Sequence, residues 1–173
     1  DEDEYEEYDI QDEPLHPNDI AGINREIGKL ETFRDLALRI KKNSKAEHLF
    51  EALDNGFEQL RLLGANQKAL IFTESRRTQD YLFSLLEERG YKGKVVLFNG
   101  VNNDKQSTEI YNKWKKYNEG SDLMTGSVTA DKRQAIVDHF KNNATIMIAT
   151  EAAAEGINLQ FCSLIVNYDM PWN

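Results

Sequence analysis

The sequence has a single cysteine and no long apolar run. Cys162 stands in the stretch Phe-Cys-Ser-Leu-Ile-Val at residues 161–166, which favours a free thiol packed as a small hydrophobic side chain. A disulfide within the chain is thereby excluded. No stretch approaches the roughly 18 apolar residues that span a bilayer, and no basic-then-apolar leader is present. We therefore expect no membrane insertion and a cytoplasmic location.

The sequence also lacks the parts of a self-sufficient catalytic site. No glycine is followed by Lys-Ser or Lys-Thr, so no glycine-rich loop is present to hold the phosphates of a nucleotide. The three histidines, His16, His48 and His139, have no cysteine or carboxylate partners at metal-ligand spacing, and we predict no metal site. No nucleophile, base and orienting group can be assembled. We predict that this chain alone is inactive and contains no catalytic residue.

Basic residues are absent from the first 13 positions, which carry nine carboxylates. The whole chain has 30 acidic and 21 basic residues, so the remainder is formally neutral and the net charge of −9 belongs to this segment. The overall acidity therefore does not exclude a polyanionic partner. Like charges together with Pro14 and Pro17 predict an extended or disordered linker over residues 1–17, because such a segment cannot bury enough apolar surface.

Apolar periodicity divides the rest of the chain into two parts. Residues 18–64 are predicted to form a helical lead-in of two amphipathic helices, whose apolar stripes we expect to pack in a core. The stripe residues are Ile20, Ile23, Ile27, Leu30, Ala37 and Ile40 in the first helix, and Leu49, Phe50, Leu53, Phe57, Leu60 and Leu63 in the second. Over residues 65–173, short apolar runs alternate with helical patterns, which predicts a parallel sheet covered on both faces. The predicted fold class is therefore α/β with three layers, preceded by N-terminal helices.

Polar residues and glycines follow each predicted strand. In an open parallel sheet, ligands collect at the carboxyl ends of the strands, because loops converge there and helix N-termini present free amides. The stretches that follow the strands are residues 73–76, 99–100, 150–158 and 169–173. We predict that a functional site is built from these four stretches.

A long connection at residues 101–126 interrupts the alternation of strands and helices, and long insertions are often functional. Its predicted helix carries Ile110, Tyr111, Trp114 and Tyr117, with three lysines among them. Lysines interleaved with aromatic residues suit contact with a nucleic acid. An amphipathic helix that buries Ile110, Trp114 and Tyr117 explains the pattern equally well. We favour packing and keep nucleic-acid contact as the alternative.

The most specific stretch is Thr-Glu-Ala-Ala-Ala-Glu-Gly-Ile-Asn at residues 150–158, which resembles motif V of superfamily 2 helicases. Leu-Ile-Phe-Thr-Glu-Ser at 70–75 resembles motif IV, and Phe-Asn-Gly at 98–100 resembles the family's glycine motif at a strand end. Residues 133–140 resemble the arginine-bearing helix that precedes motif V. Val-Asn-Tyr-Asp-Met-Pro-Trp-Asn at 166–173 resembles the approach to motif VI, particularly in Swi/Snf-related bacterial ATPases.

The order and spacing of these motifs over residues 68–173 resemble the C-terminal RecA-like lobe of these helicases, a P-loop NTPase-like fold. The resemblance implies that ATP and Mg²⁺ are bound only together with an upstream RecA-like lobe, which would supply the phosphate loop and the magnesium carboxylate. Motif VI of the family supplies arginines that reach the γ-phosphate, and that motif is not part of this sequence. The resemblance also implies a nucleic-acid partner, and the Swi/Snf-like residues 169–173 favour DNA over RNA.

Individual residues receive roles from the same resemblance. Those expected to contact nucleic acid are Thr73, Ser75, Arg76, Asn99, Gly100 and Thr150. Those expected to contact the nucleotide or the other lobe are Glu155, Gly156 and Asn158. Thr150 has the clearest role, since a hydroxyl and amides at a strand end suit a backbone phosphate. Simpler interpretations stay open, namely helix capping by Ser75, a plain turn at Gly100 and a helix stop at Gly156.

Three classes of function are compatible with the sequence. The first is a motor in which ATP binding closes two lobes and hydrolysis reopens them, so that this lobe repeatedly grips and releases one nucleic-acid strand. The second is a non-catalytic interaction module derived from such a lobe, which recruits partners through the leading helices, the acidic segment or the insertion. The third, a Rossmann-type small-molecule enzyme, is disfavoured because the phosphate loop that it requires is missing.

Overall fold

The computed structural model describes residues 17–38, 44–150, 153 and 156–169. The helices are α1 (Pro17–Leu38), α2 (Ser44–Leu62), α3 (Arg76–Leu86), α4 (Lys105–Tyr117) and α5 (Val128–Asn142). The strands are β1 (Ala69–Thr73), β2 (Val95–Phe98), β3 (Ile146–Thr150) and β4 (Leu164–Asn167), and a π-helical turn at Glu87–Tyr91 follows α3. The chain divides into two compact units, Asp1–Asn43 and Ser44–Asn173. The predicted acidic linker lies outside the described residues, except for Pro17.

The first unit contains α1, whose apolar side chains are exposed. Leu30 and Phe33 keep 65% and 63% of their surface accessible, and Ile20, Ile23 and Ile27 are also exposed. The expectation that this stripe packs in a core is therefore wrong for Ile20, Ile23, Ile27 and Leu30, whereas the side chain of Ala37 and the whole of Ile40 lie outside what the structure describes. The physical reason is that a single helix cannot bury an apolar stripe against itself. Among the described residues, no helix is long and apolar enough to cross a membrane.

The second unit is built on a four-stranded parallel sheet with the strand order β2-β3-β1-β4. The central strands β1 and β3 pair from Ala69 with Ile146 to Thr73 with Thr150. Because all four strands run the same way, their carboxyl ends lie along one edge of the sheet. The predicted parallel sheet is confirmed.

Helices cover both faces of this sheet. Alternate strand residues point to opposite faces, and the two sets pack into two separate cores. One core joins the sheet to α4 and α5, with Leu70, Val96, Phe98, Met147 and Ala149 from the strands. The other joins it to α2 and α3, with Ala69, Ile71, Val95, Leu97, Ile146 and Ile148 from the strands. The α/β fold with three layers is therefore confirmed. The apolar stripe of α2 packs in a core at Leu49, Phe50, Leu53, Phe57 and Leu60, but the expectation is wrong for Leu63, which keeps 78% of its surface exposed because it lies beyond the last residue of α2.

A glycine allows α2 to pack closely on the edge strand β4. A Cβ atom at Gly56 would lie 2.6 Å from Cδ2 of Leu164. Glycine inside a helix costs roughly 0.5–1 kcal/mol relative to alanine. The close approach of α2 to Leu164 of β4 explains why glycine occupies this position despite its cost. From the sequence pattern alone, Gly56 is only a weak point of the predicted helix.

The insertion contains the expected helix, α4, and most of its aromatic face packs inward. Ile110, Tyr111 and Trp114 are buried, and Nε1 of Trp114 donates a 2.7 Å hydrogen bond to Oδ2 of Asp138 on α5. Tyr117, which was also expected to be buried, keeps 90% of its surface exposed because it lies at the last position of α4. Packing therefore explains three of the four residues, and the expectation is wrong for Tyr117.

Candidate functional site

Two threonines lie side by side at the carboxyl ends of β1 and β3. Thr73 and Thr150 are register partners in these strands. Thr73 is only 1% exposed, and its hydroxyl donates a 2.8 Å hydrogen bond to Oδ2 of Asp169. Thr150 is partly exposed, and its hydroxyl has no hydrogen-bond partner among the described residues. Of these two predicted contacts, Thr150 is therefore the one whose hydroxyl is available to a ligand.

Asp169 follows β4 and connects three elements at this edge. Its Oδ1 accepts a 2.7 Å hydrogen bond from Nζ of Lys45 at the start of α2, and its Oδ2 also accepts one of 3.2 Å from the main-chain N–H of Glu74. Burial by itself raises the pKa of Asp169, but the hydrogen bonds from Lys45, Thr73 and Glu74 together outweigh burial and lower it. The carboxylate is therefore ionised at neutral pH, and its negative charge is offset by the ammonium group of Lys45.

Residues 169–173 were predicted to lie at the site, and of these Asp169 alone is among the described residues. The partners of Asp169 were not predicted. Lys45 lies 124 positions away along the chain, and its Nζ also lies 4.1 Å from the centroid of the Tyr168 ring. No local pattern marks such a lysine, because the packing of α2 on the sheet brings it to the strand ends. The carboxylate after a strand end was the only signal in the sequence.

Ser75 and Arg76 lie where β1 passes into α3. Oγ of Ser75 accepts a 3.0 Å hydrogen bond from the N–H of Thr78, so Ser75 caps α3. The capping interpretation that the sequence left open describes its local contacts, and its contact with nucleic acid stays a prediction. Arg76 is exposed, and its Nη2 donates a 3.3 Å hydrogen bond to Oδ1 of Asn103. Arg76 thus places a cation beside the loop that follows β2.

Asn99 and Gly100 differ in accessibility although they are neighbours. Asn99 is 3% exposed, and its Nδ2 donates a 3.1 Å hydrogen bond to Oε1 of Gln79 on α3. Gly100 is exposed, and a Cβ there would meet nothing within 4 Å. Its main chain is therefore open to close approach, whereas the side chain of Asn99 is engaged inside the protein. The sequence did not single out Gln79, whose amide gives no local pattern within α3.

The predicted nucleotide or interlobe residues lie after β3. Gly156 has φ of +77°, in the left-handed region that favours glycine. Oδ1 of the exposed Asn158 accepts a 3.2 Å hydrogen bond from the N–H of Gln160. Both residues line a cavity of about 770 Å³, together with Arg133 and Lys141 of α5. Glu155, the third residue of this group, lies outside the described residues.

Arg133 on α5 supports the segment that follows β3. Its Nη2 donates a 2.7 Å hydrogen bond to the carbonyl oxygen of Ala153, and its guanidinium lies 4.9 Å from the centroid of the Phe98 ring. Arg133 therefore contacts the main chain of the stretch that resembles motif V. Within the described ranges, no group of three or more metal-binding side chains is assembled.

Part of the second unit is similar in sequence to a known protein family. Residues 115–173 match the family of the helicase conserved C-terminal domain. The four-stranded parallel sheet, which is covered by helices on both faces, is consistent with the C-terminal RecA-like lobe of such helicases.

Individual relatives extend the similarity beyond the matched domain. The chain is 39% identical over 82 residues to an uncharacterized ATP-dependent helicase, YqhH, of Bacillus subtilis, covering 46% of this chain and 14% of that protein. It is 32% identical over 127 residues to the pre-mRNA-splicing ATP-dependent RNA helicase PRP28 of Debaryomyces hansenii, covering 69% and 21%. It is 28% identical over 130 residues to the ATP-dependent RNA helicase RhlB of Yersinia pestis, covering 72% and 30%. The chain thus spans less than a third of each relative.

Proposed function

We propose that this lobe works as the second lobe of an ATP-dependent nucleic-acid motor. It would grip the sugar-phosphate backbone at the carboxyl ends of its strands and complete an ATP site with an upstream lobe. The observation that carries the proposal is the partly exposed Thr150, which ends a central strand within the segment that matches the helicase C-terminal domain and lies beside the buried Thr73. Ligands of open parallel sheets collect at this edge.

The edge offers groups that suit a phosphodiester backbone. The hydroxyl of Thr150 can donate to a phosphate oxygen, and the exposed main chain at Gly100 permits close approach. Arg76 adds a guanidinium beside the same loop. These groups contact backbone rather than bases, so the proposal predicts little sequence preference.

A carboxylate at the same edge is compatible with a polyanion because it is paired. Asp169 would repel phosphates if its charge were isolated. Its 2.7 Å ion pair with Lys45 offsets that charge, and its second oxygen is held by Thr73 and Glu74. The pair therefore reduces the repulsion that an unpaired Asp169 would exert near Thr150.

ATP and Mg²⁺ would depend on the upstream lobe. The chain has no glycine-rich phosphate loop, and no metal-binding group is assembled in the described part of the chain. Gly156 and Asn158 are the residues we propose for a contact to the nucleotide or to the other lobe, since they border an open cavity of about 770 Å³. ATP supplies the free energy of lobe closure when it is bound.

Separate observations favour DNA and RNA as the nucleic acid that the motor follows. The Swi/Snf-like sequence at residues 169–173 favours duplex DNA, and we propose DNA as the track. PRP28 and RhlB are named as RNA helicases, which favours RNA. The competing polymers must therefore be compared directly.

The deciding experiment is steady-state ATP turnover by the complete protein that carries this lobe. It would be measured without nucleic acid and with duplex DNA, single-stranded DNA or RNA. Thr150→Ala removes one hydrogen bond to a charged phosphate, so we expect the polymer concentration for half-maximal stimulation to rise about tenfold. Thr129→Ala is the matched control, because Thr129 is exposed on α5 and should leave this concentration unchanged.

The outcomes separate the candidate functions. Stimulation by duplex DNA that is weakened only by Thr150→Ala supports the proposed motor and its track. Stimulation by RNA alone would show that RNA, and not DNA, is the track. Absence of stimulation by every polymer contradicts the motor and favours the non-catalytic interaction module.

A further inference from the structure

Three buried amide side chains hold the carboxyl ends of β2 and β3 together; we name Gln79, Asn99 and Asn102 the amide clasp. Gln79 is completely buried. Its Nε2 donates to the carbonyl oxygens of Phe98 at 3.0 Å and of Ile148 at 2.7 Å, and its Oε1 accepts from Nδ2 of Asn99. One side chain of α3 thereby links the end of β2 to the strand that leads into Thr150.

The other half of the amide clasp shapes the loop after β2. Oδ1 of Asn99 accepts hydrogen bonds from the N–H groups of Val101 at 3.2 Å and Asn102 at 2.8 Å. In the opposite direction, the N–H of Asn99 donates a 2.7 Å hydrogen bond to Oδ1 of Asn102. Asn102 has φ of +48°, a left-handed conformation that asparagine tolerates better than most residues. The loop therefore closes on itself through two reciprocal side-chain contacts.

The clasp leaves a short exposed tip. Gly100 and Val101 are exposed, whereas Asn99 and Asn102 on either side are 3% and 2% exposed. Arg76 reaches Asn103 at the rim of the same loop. A rigid base thus presents Gly100 and Val101 next to a cation, on the edge of the sheet where Thr150 lies.

Buried amides are costly unless their hydrogen bonds are satisfied, and a satisfied network specifies one geometry. A fixed loop binds a ligand more tightly because less conformational freedom is lost on binding. We propose that Gln79 and Asn102 are positioning residues that hold the loop at residues 99–103 in the geometry that receives a sugar-phosphate backbone. The inference rests on the proposed function, since the ligand is the same.

Asn102→Gly tests the proposal with little strain. Glycine adopts a positive φ readily, so the variant removes mainly the oxygen that accepts from the N–H of Asn99. In the complete protein we expect the polymer concentration for half-maximal ATP turnover to rise about threefold to tenfold, while the rate at saturation stays within about twofold. Hydrogen exchange of the amides at residues 99–102 should accelerate in the same variant.

Asn118→Gly is the matched control. Asn118 is also buried, at 8% exposure, and its Nδ2 donates a 2.9 Å hydrogen bond to the carbonyl oxygen of Trp114. It lines a cavity of about 590 Å³ with Gly93, just before β2, and so lies toward the amino ends of the strands. Asn118→Gly should lower thermal stability about as much as Asn102→Gly. It should leave the polymer concentration for half-maximal ATP turnover, here called the polymer requirement, unchanged.

Each outcome decides the proposal. A higher polymer requirement in Asn102→Gly alone, with faster exchange in the loop, supports it. An unchanged requirement in Asn102→Gly, or an equal rise in both asparagine variants, overturns it while the proposed function stands if Thr150→Ala is impaired. Absence of polymer stimulation in the unmodified protein overturns both the proposed function and the positioning role.

Discussion

The hydroxyl of Thr73 donates a 2.8 Å hydrogen bond to the carboxylate of Asp169, which lies 96 positions away along the chain. This bond joins the carboxyl ends of the neighbouring strands β1 and β4. It also distinguishes Thr73 from its register partner Thr150, whose hydroxyl is not used within the described residues. Two threonines that look equivalent in the sequence therefore have different roles in the fold.

Asp169→Asn should destabilise the lobe at neutral pH by about 1–3 kcal/mol, because it removes the charge from the hydrogen bonds to Lys45 and Thr73. The pKa of Asp169 is lowered in the folded state. Its stabilising contribution is thus present above the ordinary carboxyl pKa of 3.8 and is lost as the pH falls through the lower folded pKa. Urea unfolding at several pH values should show the difference from the unmodified chain shrinking toward acid pH.

Asp80→Asn is the control for this experiment, since Asp80 is exposed on α3. It should change the free energy of unfolding by less than about 0.5 kcal/mol at every pH. A destabilisation by Asp169→Asn that does not vary with pH would contradict the assigned role of the charge.

The free energy of unfolding of the lobe should decrease as the pH falls below 6.5, the ordinary pKa of a histidine, because of His139. Burial lowers the pKa of His139 in the folded state, and Lys113, Lys68 and Lys94 lower it further. The unfolded chain therefore binds a proton at a pH where the folded chain resists it, and stability is lost from about pH 6.5 down to the folded pKa. His139→Gln should flatten this part of the stability curve, as measured by urea unfolding at several pH values. An unchanged curve would contradict the assigned role of His139.

Gly56→Leu should destabilise the second unit by about 1–3 kcal/mol, because even a Cβ at this position approaches Leu164 to 2.6 Å. Asn55→Leu introduces the same side chain at an exposed neighbouring position of α2 and should change stability by about 0.5 kcal/mol or less. Chemical unfolding of both variants measures the difference. Equal effects would show that α2 does not pack on β4 through Gly56.

Cys162 should react slowly with alkylating reagents in the folded chain. Burial raises the pKa of the Cys162 thiol, and its Sγ donates a 3.3 Å hydrogen bond to the carbonyl oxygen of Lys68. The reactive thiolate is therefore scarce. We expect alkylation at pH 8 to be at least about tenfold slower than in urea, where the same cysteine is exposed. Similar rates in both conditions would show that the thiol is accessible in the fold.

This chain by itself should bind duplex DNA weakly, with an affinity that falls steeply as salt rises. In the proposed motor an upstream lobe completes the groove, and contacts to the nucleic-acid backbone release counterions when they form. Fluorescence anisotropy across a range of salt concentrations measures the slope. Tight binding that is insensitive to salt would contradict backbone gripping at this edge.

The parallel sheet, its three layers and the helix in the insertion could be predicted from the sequence. These features follow from the spacing of apolar residues, which local backbone geometry dictates. The exposure of the apolar residues of α1, of Leu63 and of the Tyr117 ring was not predicted, because apolar spacing does not say whether a neighbour is present to cover a side chain. Gln79 and Lys45 could not be predicted either, because their partners lie 19 to 124 positions away.

By itself, the sequence determined the order of strands and helices, the absence of a phosphate loop, and the motif residues that follow each strand. These are local properties, carried by periodicity and by residue type. Only the tertiary structure decided that Thr73 is bound by Asp169, that Gln79 joins two strand ends, and that Gly56 admits a neighbouring strand. Each of these contacts joins residues far apart in the chain, and only the folded sheet brings them within hydrogen-bonding or van der Waals distance.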